Sequence, residues 1–167
     1  MSKLQKRTAA EVYLFEWDHP GYNLPDTRSG RVFTPVKEWI DEVIMDFGYV
    51  TQNLDYLASK LPVADMYVGH SAGGVIVGSS TVRPQVLMGC PFQLIRNVQL
   101  RAHSTDVLNI MHYRDLIATP VIAAQNVIIN RPFITGWLNP VKAHTCYWTS
   151  NAALDYTVRM FEARVRR

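Results

Sequence analysis

The sequence predicts an α/β fold in one domain, with a mostly parallel sheet of about four to six strands flanked by helices. Two observations support this class. Short apolar runs are separated by a long segment of helical periodicity, the order typical of strand–helix–strand units. Between residues 64 and 80, an apolar strand pattern runs through a glycine-rich turn directly into a helical pattern. We expect residues 11–167 to form this domain and residues 1–10 to be a disordered basic tail.

The individual elements follow in chain order. Residues 12–17 are rich in β-formers and predict the first strand. Apolar residues between 36 and 61 recur at helical spacing, which predicts one long helix or two helices broken near Gly48. Short apolar runs predict the later strands at residues 64–68, 85–89 and 106–112, with 127–129 as either a strand or a packed loop.

Two further helices are expected, at residues 73–80 and at the end of the chain. The final helix should span residues 151–165, because Ser150 or Asn151 can cap its start. Its inward-facing side chains should be Leu154, Val158 and Phe161.

Composition narrows the classes of function. The net charge of +3 comes partly from the chain ends and is too small to indicate nucleic-acid binding. Cys90 and Cys146 form no disulfide framework and are expected to be buried thiols. The first ten residues have no apolar core of a signal peptide, and no window is apolar enough for a membrane span. We therefore expect a cytoplasmic protein without stable membrane insertion.

The turn at residues 69–73 carries the pattern Gly-x-Ser-x-Gly. In a nucleophile elbow, the serine occupies a strained turn between strand and helix, and its hydroxyl is exposed above the sheet. The flanking glycines are needed because a β-carbon there would collide with the neighbouring strand or helix. Ser71 is therefore the candidate nucleophile. The N–H of Ala72, at the helix start, is a candidate oxyanion donor.

An acid and a histidine should follow the serine in that order, on loops beyond the carboxyl ends of the strands. Asp115 follows the strand that begins near residue 106, and His144 precedes the final helix. Asp106 competes for the acid role, but it opens its strand at the opposite edge of the sheet. Four other histidines compete for the base role: His19, His70, His103 and His112.

The remaining site residues are less directly indicated by the sequence. The second oxyanion donor should come from the loop after the first strand, at Trp17 or Asp18. Candidate substrate-binding residues are His19 and Tyr22 on this loop, His70 within the turn and Trp148 after the candidate base. No metal or other cofactor is expected.

Four segments, in order, resemble the lipase class 3 branch of the α/β-hydrolases. Val68–Gly74 is similar to the family's elbow, and Met88–Pro91 to the strand and glycine-x-proline turn that follow it. Ile110–Pro120 is similar to the segment with the catalytic aspartate, and His144–Trp148 to the catalytic histidine with its aromatic pair. The resemblance covers roughly residues 64–148 and implies a small α/β-hydrolase-like fold with Ser71, Asp115 and His144 as a catalytic triad. The family's usual arginine-glycine-threonine turn is absent, and residues 15–19 stand in the corresponding place.

The function expected from motif and resemblance is the hydrolysis of a carboxylic ester through an acyl-enzyme, on a small-molecule or lipid ester. A thioesterase or an acyltransferase would use the same triad. A non-catalytic binding protein on a degenerate hydrolase fold is the alternative from another class, because residues 15–19 depart from the family pattern.

Overall fold

The computed structural model describes residues 3–13, 15, 44, 47–91, 106–121, 124–129 and 140–165 of the 167-residue chain. Within these ranges the chain combines helices with one parallel sheet, so the protein has an α/β fold. Between residues 54 and 88 the order is helix, strand, helix, strand, as the sequence predicted. This arrangement brings the carboxyl ends of the strands to one edge of the sheet.

The sheet of the described residues has four strands, and every neighbouring pair is parallel. Its strands are β1 (Tyr67–His70), β2 (Gln85–Met88), β3 (Val107–His112) and β4 (Gln125–Ile129), which lie side by side in chain order. In register, His70 lies beside Met88 and Met88 beside Ile110. Strands β2 and β3 are buried along their whole length, as expected for parallel strands that are covered on both faces.

Helices pack on both faces of the sheet. The helices with both ends within the described residues are α1 (Lys3–Thr8), α2 (Leu54–Ser59), α3 (Ala72–Ser79), α4 (Pro140–Thr145) and α5 (Asn151–Arg164), with a 3₁₀ helix at Cys146–Thr149 between the last two. Helix α5 starts at the N-cap Ser150, whose side chain accepts a hydrogen bond from the Ala153 N–H. This capping bond offsets one of the unpaired N–H groups of the first turn.

Two apolar clusters form the described core, one on each face of the sheet. On one face, α2 and α3 pack against alternate strand residues such as Tyr67, Leu87 and Val107. On the other face, Tyr147 of the 3₁₀ helix and α5 pack against residues of the opposite parity, such as Met88 and Ile110. This separation follows from the two-residue period of a strand.

Several local predictions differ from the structure. Residues 3–8, predicted as a disordered tail, form α1, and its Arg7 contacts Asp155 and Asn151 of α5. The helical segment between 47 and 59 is interrupted at Asn53 rather than near Gly48. Residues 12, 13 and 15 belong to no strand, and the rest of the predicted first strand lies outside the described residues.

The inward face of α5 also differs from the prediction in part. Leu154 is buried as predicted, whereas Val158 and Phe161 are only half-buried. The other buried residues of this helix are Ala153, Thr157 and Met160. The buried face of α5 is therefore rotated about the helix axis, away from Val158 and Phe161 and toward Ala153, Thr157 and Met160.

Cys90 and Cys146 are both buried and form no disulfide, as the sequence predicted. Among the described residues, no helix has the length and apolar character needed to span a bilayer.

Candidate active site

The turn between β1 and α3 holds Ser71 in a conformation that residues with side chains rarely adopt. Strand β1 ends at His70, α3 begins at Ala72, and Ser71 between them has φ 55° and ψ −126°. A positive φ outside glycine stores strain and persists only where the surrounding structure enforces it. The Ser71 N–H donates to the Met88 carbonyl of β2 at 3.0 Å, which anchors the strained residue to the sheet edge.

Gly69 is required by the tightness of this turn. A β-carbon at this position would lie 2.5 Å from the Gly73 carbonyl oxygen and 2.7 Å from the Gly74 Cα. Both are backbone atoms of the turn and of α3, so neither can move without displacing the helix. The first glycine of the motif therefore serves the close approach of strand and helix.

Asp115 and His144 reach Ser71 from two other parts of the fold. Asp115 lies three residues after β3, and His144 lies on α4, just before the 3₁₀ helix. The Nε2 atom of His144 lies 2.8 Å from the Ser71 Oγ, and its Nδ1 lies 2.9 Å from the Asp115 Oδ2. Both distances fall within the hydrogen-bond range. The structure thus joins the three predicted residues in one continuous chain of hydrogen bonds.

These contacts indicate the tautomer of the neutral imidazole. A carboxylate only accepts hydrogen bonds, so Nδ1 carries the proton and donates to Asp115. Nε2 is then unprotonated and accepts from the Ser71 hydroxyl. This is the tautomer that a general base needs for removing the serine proton.

The Asp115 carboxylate is completely buried and is surrounded by donors. Its side chain is 0% exposed. Oδ1 accepts from the N–H groups of Ile117 and Ala118 at 3.0 and 3.2 Å, and Oδ2 accepts from His144 and from the Tyr147 hydroxyl. Burial raises the pKa of Asp115, but the contact with His144 and the bonds from Tyr147 and Ile117 outweigh it, so the pKa lies below its usual value. The carboxylate therefore stays ionised beside the histidine.

Two residues of this site were not singled out by the sequence analysis. Tyr147 bonds to Asp115 from the 3₁₀ helix. Gly89, at φ +59°, makes room for both, because a β-carbon there would lie 2.8 Å from the Tyr147 ring and 2.9 Å from the Asp115 Oδ2. The aromatic pair after His144 was the available signal for Tyr147, and the glycine-x-proline turn was the signal for Gly89.

The competing acid and base candidates are placed elsewhere. Asp106 lies at the opposite end of β3 and pairs with Arg164 of α5 at 3.2 Å. The His112 Nδ1 accepts from the Arg114 N–H, and the ring stacks on Tyr113. His103 lies outside the described residues.

His70, predicted as a substrate-binding residue, contacts the candidate base His144. Its Nε2 lies 2.6 Å from the His144 carbonyl oxygen, to which it can only donate. The two imidazole rings are 4.8 Å apart. His70 therefore contacts both the main chain and the ring of the candidate base.

The rest of the predicted site is described only in part. Ala72 is the first residue of α3, where an N–H has no intrahelical acceptor. Trp148 is 43% exposed, and its ring meets the edge of His70. The predicted second oxyanion donors Trp17 and Asp18, and the predicted substrate contacts His19 and Tyr22, lie outside the described residues. Across the described ranges, no group of three or more His, Cys, Asp or Glu side chains is arranged to hold a metal ion.

Comparisons of the chain with protein-family models, with curated proteins and with solved structures found no significant match. The geometry of this site is therefore the basis for inferring a function.

Proposed function

We propose that this protein is a serine hydrolase that cleaves carboxylic esters through an acyl-enzyme, on a small α/β-hydrolase fold similar to lipase class 3. The observation that carries the proposal is the hydrogen-bonded chain from Ser71 through His144 to Asp115. The strained backbone of Ser71, between a parallel strand and a helix, supports it independently. A merely structural serine has no need of either feature.

In the proposed reaction, the Ser71 Oγ attacks the ester carbonyl carbon while His144 Nε2 takes the hydroxyl proton. Asp115 stabilises the imidazolium that forms, through the Nδ1–H bond. The carbonyl electron pair moves onto oxygen, and the Ala72 N–H at the start of α3 is the candidate donor to this oxyanion. Collapse of the tetrahedral intermediate breaks the ester C–O bond, and His144 returns the proton to the departing alkoxide, which leaves as the alcohol.

Deacylation repeats these steps with water as the nucleophile. His144 removes a proton from the water, which attacks the acyl carbon of the Ser71 ester. The second tetrahedral intermediate then expels Ser71, which recovers its proton from His144, and releases the carboxylic acid. The same residues would serve a thioester substrate or an alcohol acceptor.

A fluorophosphonate probe tests the nucleophile directly, because it phosphonylates an activated serine without requiring the natural substrate. We expect the wild-type protein to be labelled and the Ser71→Ala variant not to be. Ser59→Ala is the matched control, since this serine is exposed on α2 and its hydroxyl donates to the Tyr56 carbonyl; it should be labelled like the wild type. Loss of labelling should be accompanied by loss of p-nitrophenyl ester hydrolysis. If the wild type resists both the probe and the esters, the proposal is wrong and a binding role replaces it.

The same assay tests the acid and the base. His144→Ala and Asp115→Asn should each lower kcat on the order of 10⁴-fold. The first variant removes the general base, and in the second the asparagine no longer holds the imidazole in the required tautomer. Combining Ser71→Ala with His144→Ala should add little to either single loss, since the residues act as a unit. Full activity of His144→Ala would show that another histidine is the base.

A further inference from the structure

Tyr147 is a buried tyrosine at the second position of the 3₁₀ helix, three residues after His144. Its hydroxyl lies 2.7 Å from the Asp115 Oδ2. This is the same oxygen that receives the His144 Nδ1–H. The tyrosine therefore acts on the atom through which the acid holds the base.

The direction of the Tyr147 hydroxyl proton follows from its second contact. The N–H of His112, at the end of β3, donates to the Tyr147 oxygen at 2.8 Å. With a donor already directed at this oxygen, and a carboxylate as its other neighbour, the hydroxyl proton must lie toward Asp115. Burial and the nearby Asp115 charge raise the pKa of Tyr147 above its usual value, so the phenol remains a donor at every working pH.

The two oxygens of Asp115 are held by different parts of the fold. Oδ1 is fixed by the N–H groups of Ile117 and Ala118, which belong to the same loop as Asp115. Oδ2 has only side-chain donors among the described residues, namely His144 and Tyr147. His144 must change its charge and its hydrogen bond to Ser71 during turnover. Tyr147 is therefore the donor to Oδ2 whose charge and hydrogen bonds need not change during the reaction.

We propose that Tyr147 is a positioning residue of the hydrolase proposed above, and that its hydroxyl holds Asp115 Oδ2 in line with the His144 Nδ1–H throughout the reaction. This inference rests on the proposed function for its meaning in catalysis. The hydrogen-bond geometry on which it depends can be examined without turnover. Gly89 belongs to the same arrangement, because only a residue without a β-carbon lets the Tyr147 ring and the carboxylate approach this closely.

The test compares Tyr147→Phe with a matched control, Tyr67→Phe. Tyr67 is also buried, and its hydroxyl donates to the Pro62 carbonyl from the start of β1, away from the site. We expect Tyr147→Phe to lower kcat roughly 10-fold with KM unchanged, since misalignment of a supporting group affects the chemical step. Tyr67→Phe should keep the wild-type kcat.

Proton NMR supplies the readout that a merely structural role would not change. The His144 Nδ1 proton, bonded to a buried carboxylate, should give a far-downfield resonance, assigned by its absence in His144→Gln. In Tyr147→Phe this resonance should broaden or disappear, because the carboxylate gains rotational freedom and the proton exchanges with water. It should be unchanged in Tyr67→Phe.

A wild-type resonance in Tyr147→Phe overturns the proposal, whatever the activity of the variant. If Tyr147→Phe does not fold, 3-fluorotyrosine at position 147 takes its place, because it keeps the ring and both hydrogen bonds while making the phenol a stronger donor. That substitution should draw charge from Oδ2 and move the resonance upfield, and an unmoved resonance again contradicts the proposal. Since the spectrum needs no turnover, this failure is distinguishable from a failure of Ser71 to react with the fluorophosphonate.

Discussion

At the scale of single residues, His144 is held at both its side chain and its main chain. Ser71 and Asp115 bind the two ring nitrogens, and the Nε2–H of His70 donates to the carbonyl oxygen. His70, the residue before Ser71, is thereby hydrogen-bonded to the backbone of the base. Burial, as the largest cause, and the adjacent His144 ring lower the pKa of His70 to about 4, against the opposing effects of its backbone bond and of Asp115.

The lowered pKa of His70 predicts a loss of stability in mild acid. The unfolded chain binds a proton at this histidine below its usual pKa of 6.5, whereas the folded chain does so only near 4. Stability is therefore lost as the pH falls from about 6.5 to about 4, by at most about 3 kcal/mol from this group. In His70→Gln, whose amide can still donate but does not titrate, this part of the pH dependence should vanish.

Urea unfolding at several pH values between about 7 and 4.5 measures the effect. The quantity to follow is the difference in unfolding free energy between wild type and His70→Gln, because it isolates the part of the pH dependence that requires a titrating group at position 70. Ionisable neighbours of the ring are His144, Tyr147 and Asp115. A difference that does not change with pH would show that His70 titrates alike in both states.

At the scale of elements, the site depends on two short connections rather than on long helices. The first is the single-residue turn from β1 to α3, and seven of the eight residues of α3 are buried. The second is the passage from α4 through the 3₁₀ helix, which carries His144 and Tyr147 toward the ends of β2 and β3. Since α3 is apolar on all sides, its position under the sheet is set by close packing at Gly69 and Gly74.

Two glycine-to-alanine variants test this packing. Gly69→Ala should lower the free energy of unfolding by roughly 2 kcal/mol or more, because its β-carbon meets backbone atoms at 2.5–2.8 Å. Gly48→Ala is the matched control. Gly48 lies in a helical segment, and its added β-carbon meets no atom of the described residues within 4 Å, so alanine should stabilise the protein by about 0.5–1 kcal/mol. Equal effects of the two substitutions in urea unfolding would contradict the close approach at the elbow.

At the scale of the whole molecule, the sheet separates two apolar layers, and the site lies at the edge where they meet. Ser71 is connected to the layer of α3, whereas Tyr147 belongs to the layer of α5. Asp115 follows the central strand β3, which is buried on both faces. The relative placement of nucleophile and base therefore depends on both layers being packed against the same four strands.

The separation of the layers predicts additive effects on stability. Ile76 and Ile110 are 1% and 0% exposed and belong to different clusters. Ile76→Val and Ile110→Val should each lower the free energy of unfolding by about 0.5–1.5 kcal/mol. In urea unfolding, the double variant should show the sum within about 0.5 kcal/mol, since the two side chains share no cluster. A clear departure from the sum would mean that the layers are coupled through the sheet.

The sequence by itself determined the local parts of this protein. The strand, glycine turn and helix around Ser71 were predictable because each depends on neighbours within a few residues: apolar runs, glycines where a β-carbon cannot fit, and a positive φ at the serine. The chain order of serine, acid and histidine was predictable because parallel strands bring their carboxyl ends to one edge. The remaining parts of the site required the fold.

The tertiary structure alone decided which side chains meet. Ser71 and His144 are 73 residues apart in the chain, and Asp115 and His144 are 29 apart, so their contacts depend on strand register and helix rotation. The same applies to Tyr147 on Asp115 and to His70 on the His144 carbonyl, neither of which a short-range pattern specifies. Residues 3–8 were predicted as part of a disordered tail, and the inner face of α5 was predicted only in part, for the same reason: both depend on the surface against which the helix packs.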